Sequence, residues 1–227
     1  MSETLVRAIS GAVYVVILLT ACWYSEVSFK ILMGFFLVLT TIEFSKLIRF
    51  NTIIGVVLAL GLYIVFGFSD NFGNQLNIFF ILFSILSAFW LIKNLFSSKS
   101  LIIKEGYKKY LIFLGYLIFP FILLSKIPFG YMYADTSASS EQQVYHSMII
   151  ILIFLMIWIN DTFAYLVGKT FGKHKLFEKI SPKKTIEGFL GGAFFTILFA
   201  FFVPAIFDWN KEYTWFLIIQ AIIIIIF

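Results

Sequence analysis

The chain has 227 residues, of which 61% are hydrophobic and only 13% charged, with a formal net charge of +5. A soluble domain is nearer half apolar and a quarter charged, so this composition excludes a soluble protein carrying one anchor and indicates an integral membrane domain. In such a chain a basic balance reports loop topology rather than nucleic-acid binding, and a lone cysteine, Cys22, excludes a disulfide framework or a cysteine metal site.

Eight apolar runs follow one another, at roughly 8–25, 29–45, 52–68, 76–93, 109–125, 147–168, 188–207 and 213–227. Each is predicted to be a membrane-crossing helix, which gives an all-α polytopic membrane protein of about eight transmembrane helices. The first run follows Arg7 without a convincing cleavage site, so it reads as a retained helix rather than a signal peptide. One membrane domain over 1–227 is expected, with a polar motif at 160–192.

The loops between the runs predict the orientation. With a cytoplasmic N-terminus, the inner segments hold Arg7, Lys46, Arg49, Lys93, Lys99, Lys104, Lys108, Lys109, Lys169, Lys173, Lys175, Lys179, Lys183 and Lys184. Only Lys30, Lys126 and Lys211 of the 17 basic residues fall outside, beside Glu26, Asp70, Asp135, Glu141, Asp208 and Glu212. This is a strong positive-inside bias. It places the polar motif on the cytoplasmic side of a cell membrane, expected to be a bacterial inner membrane.

Two acids lie near predicted helix ends. Glu43, in TTIEFSKLIRF, either pairs with Lys46 three residues on, the favoured reading, or contacts a catalytic cavity. Asp161 lies inside the sixth run, a few residues from its cytoplasmic end; a carboxylate at membrane depth costs about 2.5–3.5 kcal/mol and usually faces a bundle interior or a wet cavity. Asp161, Tyr165 and Lys169 recur at intervals of four and so share one helix face. Asp161 therefore either pairs with Lys169 at a helix end or serves a polar site, with Asn160 beside it capping or bonding between helices.

The stretch GKTFGKHKLFEKISPKKTIEG reads as a loop. Gly168 and Gly172 permit turns and close approach. Ser181 and Pro182 suggest a helix start, with Ser181 as cap and Pro182 as first helical residue, which would set Lys183 and Lys184 in the first turn beside free backbone N–H groups. That is a site for phosphate. An ordinary basic loop on anionic headgroups explains the lysines but not their order. Gly188, Gly192 and Thr196 form a small-residue packing face, to which Gly191 adds a close contact. His146 and His174 are isolated in sequence and receive no metal or catalytic role. GxxxxGK[ST], HExxH and GxSxG patterns are absent.

The segments NDTFAYLVGKTFGK and SPKKTIEG together resemble the CDP-diacylglycerol synthase (phosphatidate cytidylyltransferase) family, and Arg7 and the Glu43-Phe44 pair are similar to its N-terminal half. The resemblance implies a nucleotidyltransferase of phospholipid biosynthesis that moves a cytidylyl group from CTP to phosphatidic acid, with magnesium as the divalent cation. It implies catalytic roles for Asp161 and Lys184, with Asp161 also the candidate metal ligand. Substrate contacts fall to Asn160, Lys169, Ser181, Pro182, Lys183, Thr185, Glu187 and Gly188. Glu187 is expected to orient a lysine or join the polar cavity.

The family's further Ser-x-x-Lys-Arg…Lys-Asp segment, ending in His-Gly-Gly and Asp-Arg-x-Asp, does not occur before Phe227. The chain is accordingly expected to lack a C-terminal part that supplies metal-binding acids; a fragment of this kind could bind substrate phosphate yet be inactive. A homodimer is compatible with the family. Two other functions remain open: a CTP-dependent polyprenol or phytol kinase, and an ion-coupled membrane transporter with Asp161 as the ion site.

Overall fold

The computed structural model describes residues 3–69, 74–95, 106–129, 145–178, 181–209 and 212–226. The chain divides into two compact units, Met1–Met148 and Ile149–Phe227. Lys99, Lys104, Lys179, Lys211, Asp70, Asp135 and Glu141, which carry part of the predicted orientation, lie outside the described residues.

The first unit begins with α1 (Glu3–Tyr24) and α2 (Glu26–Leu47). Ser25 separates them: its hydroxyl accepts from the Ser28 N–H, and the Ser28 hydroxyl accepts from the Ser25 N–H, which starts a new helix at Glu26. Asn51 caps α3 (Thr52–Leu62) by accepting from the N–H groups of Ile53 and Ile54. This helix widens into a π-helical turn at Tyr63–Gly67. Then come α4 (Asn74–Leu95) and a run over Gly106–Lys126, built from α5 (Gly106–Ile112), a π-helical turn (Phe113–Ile118) and α6 (Phe119–Lys126).

Tyr63 organises the packing of the unit. Its ring fills the space beside Gly34 and Gly67, where an added Cβ would come within 3.1 and 2.9 Å of it, and its hydroxyl donates to the Lys30 carbonyl at 2.9 Å. The buried Lys30 ammonium is paired with Glu26 at 2.5 Å. Around them Leu18, Cys22, Phe29, Met33, Leu37, Phe113, Ile118 and Ile122 are fully buried. Cys22 is a free thiol in this core, as the lone cysteine requires. Glu43 stays exposed on α2 and makes no ion pair among the described residues, so the expected pair with Lys46 does not form. Exposed pairs of this kind gain at most about 1 kcal/mol against the freedom of two long side chains.

The second unit holds most of α7 (Ser147–Phe171), then β1 (Lys175–Phe177), β2 (Ser181–Thr185), α8 (Ile186–Ile206) and α9 (Glu212–Ile226). α8 and α9 pack together; Ala200 and Val203 are buried on the first and Leu217 and Ala221 on the second. Among the described residues, five helices are long and apolar enough to cross a membrane: Glu26–Leu47, Gln75–Asn94, Gly106–Lys126, Ser147–Phe171 and Ile186–Ile206. Shorter apolar helices at Ile9–Tyr24, Thr52–Gly67 and Tyr213–Ile226 occupy the other three predicted runs. The molecule is an all-α multi-pass membrane protein, apart from the small antiparallel ribbon of β1 and β2.

Candidate functional site

The site is built on the crossing of α7 and α8. Glycines let the two backbones touch: a Cβ at Gly188 would lie 2.6 Å from the Ala164 carbonyl oxygen and 3.0 Å from the Gly168 Cα. One at Gly192 would meet Asn160 Oδ1 at 2.7 Å, and one at Gly191 would meet the Val167 side chain at 2.6 Å. Phe163 and Phe195 stack alongside, with ring centroids 3.8 Å apart. The Thr196 hydroxyl turns back onto the Gly192 carbonyl at 2.8 Å and is buried. The glycine–threonine face read from the sequence is thus the packing seam, with Asn160 on the opposing helix.

The chain between the helices turns back on itself. β1 pairs antiparallel with β2, with Lys175 opposite Thr185 and Phe177 opposite Ser181. One residue, Leu176, therefore faces three, Pro182, Lys183 and Lys184, so the strand bulges at the two lysines. Proline fits there because it has no N–H to give the ladder.

The helix starts four residues later than Ser181 and Pro182 suggested. Thr185 has extended backbone (φ −120°, ψ 155°) and its hydroxyl accepts from the Gly188 N–H at 3.2 Å, so Thr185 is the cap. The Ile186 N–H donates to the His174 carbonyl at 2.9 Å. These first-turn donors are satisfied within the chain, which corrects the expectation of free backbone N–H groups awaiting phosphate. Anion binding here falls to side chains.

Glu187 closes the base of the turn. Its carboxylate accepts from the Lys173 N–H at 3.1 Å and from the His174 N–H at 3.2 Å, and His174 Nδ1 lies 2.6 Å from its Oε1. No lysine ammonium is among these partners. Lys175 donates across the ribbon to the Pro182 carbonyl at 2.6 Å. The His174–Glu187 contact has no sequence signal, because thirteen residues separate the pair and only the ribbon brings them together.

Lys183 and Lys184 are exposed and have no hydrogen-bond or ion-pair partner among the described residues. Ser181 is half-buried at the start of β2, and Pro182 is exposed. On α7, Asp161, Tyr165 and Lys169 form the exposed stripe that their spacing predicts, next to the face packed on α8. The Lys169 ammonium lies 5.7 Å from the Tyr165 ring centroid rather than on Asp161. Asp161 is without a partner among the described residues, so the helix-end ion pair with Lys169 is not formed. Gly188, Thr185 and Glu187 thus shape the turn, Asn160 lies in the helix seam beside Gly192 and its side chain makes no hydrogen bond among the described residues, and Lys183, Lys184 and Asp161 are left unpaired.

A charged group without an internal partner gains most from an external one of opposite sign, and lysines on a short ribbon suit a polyanion. Fold and site together define a multi-pass membrane protein that presents a lysine-bearing turn on two glycine-packed helices. The model of the cytidylyltransferase family matches residues 5–227, and the chain belongs to that family.

Among its relatives is a protein of Aquifex aeolicus, 68% identical over 50 residues, which are 22% of this chain and 19% of that protein. A protein of Staphylococcus aureus is 34% identical over 131 residues, 52% of this chain and 50% of its own length. One of Staphylococcus saprophyticus is 30% identical over 187 residues, 80% of this chain and 64% of its own length. All three are named phosphatidate cytidylyltransferase. The chain spans less than two thirds of the length of each of these relatives.

Proposed function

We propose that the chain carries the nucleotide-binding turn of a phosphatidate cytidylyltransferase, in which CTP and phosphatidic acid give CDP-diacylglycerol and pyrophosphate. A phosphate oxygen of the lipid attacks the α-phosphorus of CTP. The α–β phosphoanhydride bond breaks, and pyrophosphate leaves with its electron pair. Such a transfer needs positioning and charge neutralisation more than covalent help from the protein.

The observation that carries this reading is the pair Lys183 and Lys184, unpaired on a bulge at the end of a membrane helix pair, in a chain of this family. Their ammonium groups would hold the triphosphate, with Ser181 beside them as a hydroxyl donor and Lys169 on the neighbouring helix end. With the N-terminus in the cytoplasm, the turn meets cytosolic nucleotide while the membrane supplies the lipid.

Magnesium fits this arrangement through Asp161. That ion keeps several waters and binds through one or two carboxylates plus substrate phosphates, and Asp161 offers one unpaired carboxylate. Among the described residues no three acidic, histidine or cysteine side chains gather. Bound there, it would neutralise phosphate oxygens during displacement.

The test is transfer of label from CTP into extracted lipid by membranes that carry this turn in a chain of its relatives' full length, with phosphatidic acid and a polyprenol supplied in parallel. Label appearing as CDP-diacylglycerol only with phosphatidic acid is the expected result. Label transferred from γ-labelled CTP to the alcohol would instead mark a lipid kinase. Ion-driven flux in liposomes without any CTP requirement would mark a transporter.

A further inference from the structure

We infer that Glu187 is a positioning residue that acts through His174: the pair locks the two ends of the turn so that Lys183 and Lys184 stand where a nucleotide triphosphate is held. This rests on the nucleotide-binding reading above and changes the role of Glu187 within it from touching substrate to shaping the turn.

The carboxylate receives two backbone N–H groups, from Lys173 and His174, and the His174 imidazole. Lys173 and His174 are the last residues before β1, while Glu187 is the second residue after β2. The carboxylate therefore ties the entry of the ribbon to its exit. The Ile186 N–H to His174 carbonyl bond runs in parallel, and the Lys175 ammonium ties the strands again at Pro182. Lys183 and Lys184 lie between these ties, on the bulge. Unmoored, the two lysines would sample many positions, and holding a triphosphate would require ordering them at binding.

A carboxylate already committed to these donors is a weak candidate for a metal or substrate contact. His174 Nδ1 is the one side-chain donor among its partners, so His174→Ala removes that bond and leaves both backbone donors intact.

The experiment uses the whole chain in nanodiscs and measures CTP binding together with amide hydrogen exchange at Lys173 and His174. His174→Ala should weaken CTP binding about tenfold, the size of one charge-assisted hydrogen bond. Glu187→Ala should weaken it more, and the double variant should bind no worse than Glu187→Ala, since the imidazole has then already lost its partner. In a Lys183→Ala/Lys184→Ala background, Glu187→Ala should cost less than about twofold. His174→Asn, whose amide can stand near the Nδ1 position, should recover most of the loss. Glu187→Gln keeps the side chain's size, so exchange at the two amides should rise without general unfolding.

Additive losses, or a Glu187→Ala effect that persists without the two lysines, would overturn the positioning role. So would amides of Lys173 and His174 that exchange freely in the unaltered chain. Each of those outcomes leaves nucleotide binding intact. An unaltered chain that binds no CTP sinks the nucleotide-binding reading itself, and the positioning role with it.

Discussion

A side chain's freedom to meet a ligand depends on what already holds it. Lys175 is engaged with the Pro182 carbonyl, Lys169 lies over Tyr165, and Lys183 and Lys184 have no such partner. On the nucleotide-binding reading proposed above, Lys183→Ala and Lys184→Ala should therefore each weaken CTP binding by about 10- to 100-fold, the range expected for one hydrogen bond to a charged group. If magnesium is held at Asp161 as proposed, Asp161→Asn should shift the magnesium concentration that supports CTP binding upward, read from a magnesium titration of CTP binding. The unpaired residues were legible in the sequence, because a carboxylate in an apolar run and an ordered lysine pair stand out there. His174 was not: its importance comes from a carboxylate thirteen residues away, and nothing periodic links the two.

Whole segments were legible wherever period and length agreed. All eight apolar runs are helical, since a long apolar stretch in lipid must satisfy its backbone internally. The ribbon leaves no such signature, because β1 has three residues and β2 five, too short to show alternation. Ser-Pro is ambiguous in the same way: a missing N–H suits both the first turn of a helix and a bulge. Thr185 decides the matter, and Thr185→Ala should destabilise the start of α8 by about 1 kcal/mol, with Thr185→Ser restoring most of it. The seam between α7 and α8 is less forgiving. Gly188→Ala would press a methyl group onto the Ala164 carbonyl, which side-chain rotation cannot relieve. Overpacking of that kind costs about 1–3 kcal/mol, so thermal unfolding in detergent should show a lowered midpoint.

For the molecule as a whole, the charge pattern predicts which side of the membrane each loop occupies. Cys22 is the only cysteine and is fully buried, so a membrane-impermeant maleimide should leave the unaltered chain unlabelled. Lys184→Cys should then react only when the reagent reaches the cytoplasmic face, and Ser25→Cys, between α1 and α2, only from outside. The reverse pattern would invert the assigned orientation.

The helix over Thr52–Gly67 has a further consequence. At 1.5 Å per residue it reaches about 24 Å, against a hydrocarbon layer of roughly 30 Å. A bilayer meeting that shortfall is compressed around the protein, at a modest free-energy cost for each ångström of mismatch. The chain should accordingly be most stable in vesicles of short-chain lipids and lose thermal stability as the acyl chains lengthen. The thickness of the surrounding membrane would then help to set how firmly this protein holds together.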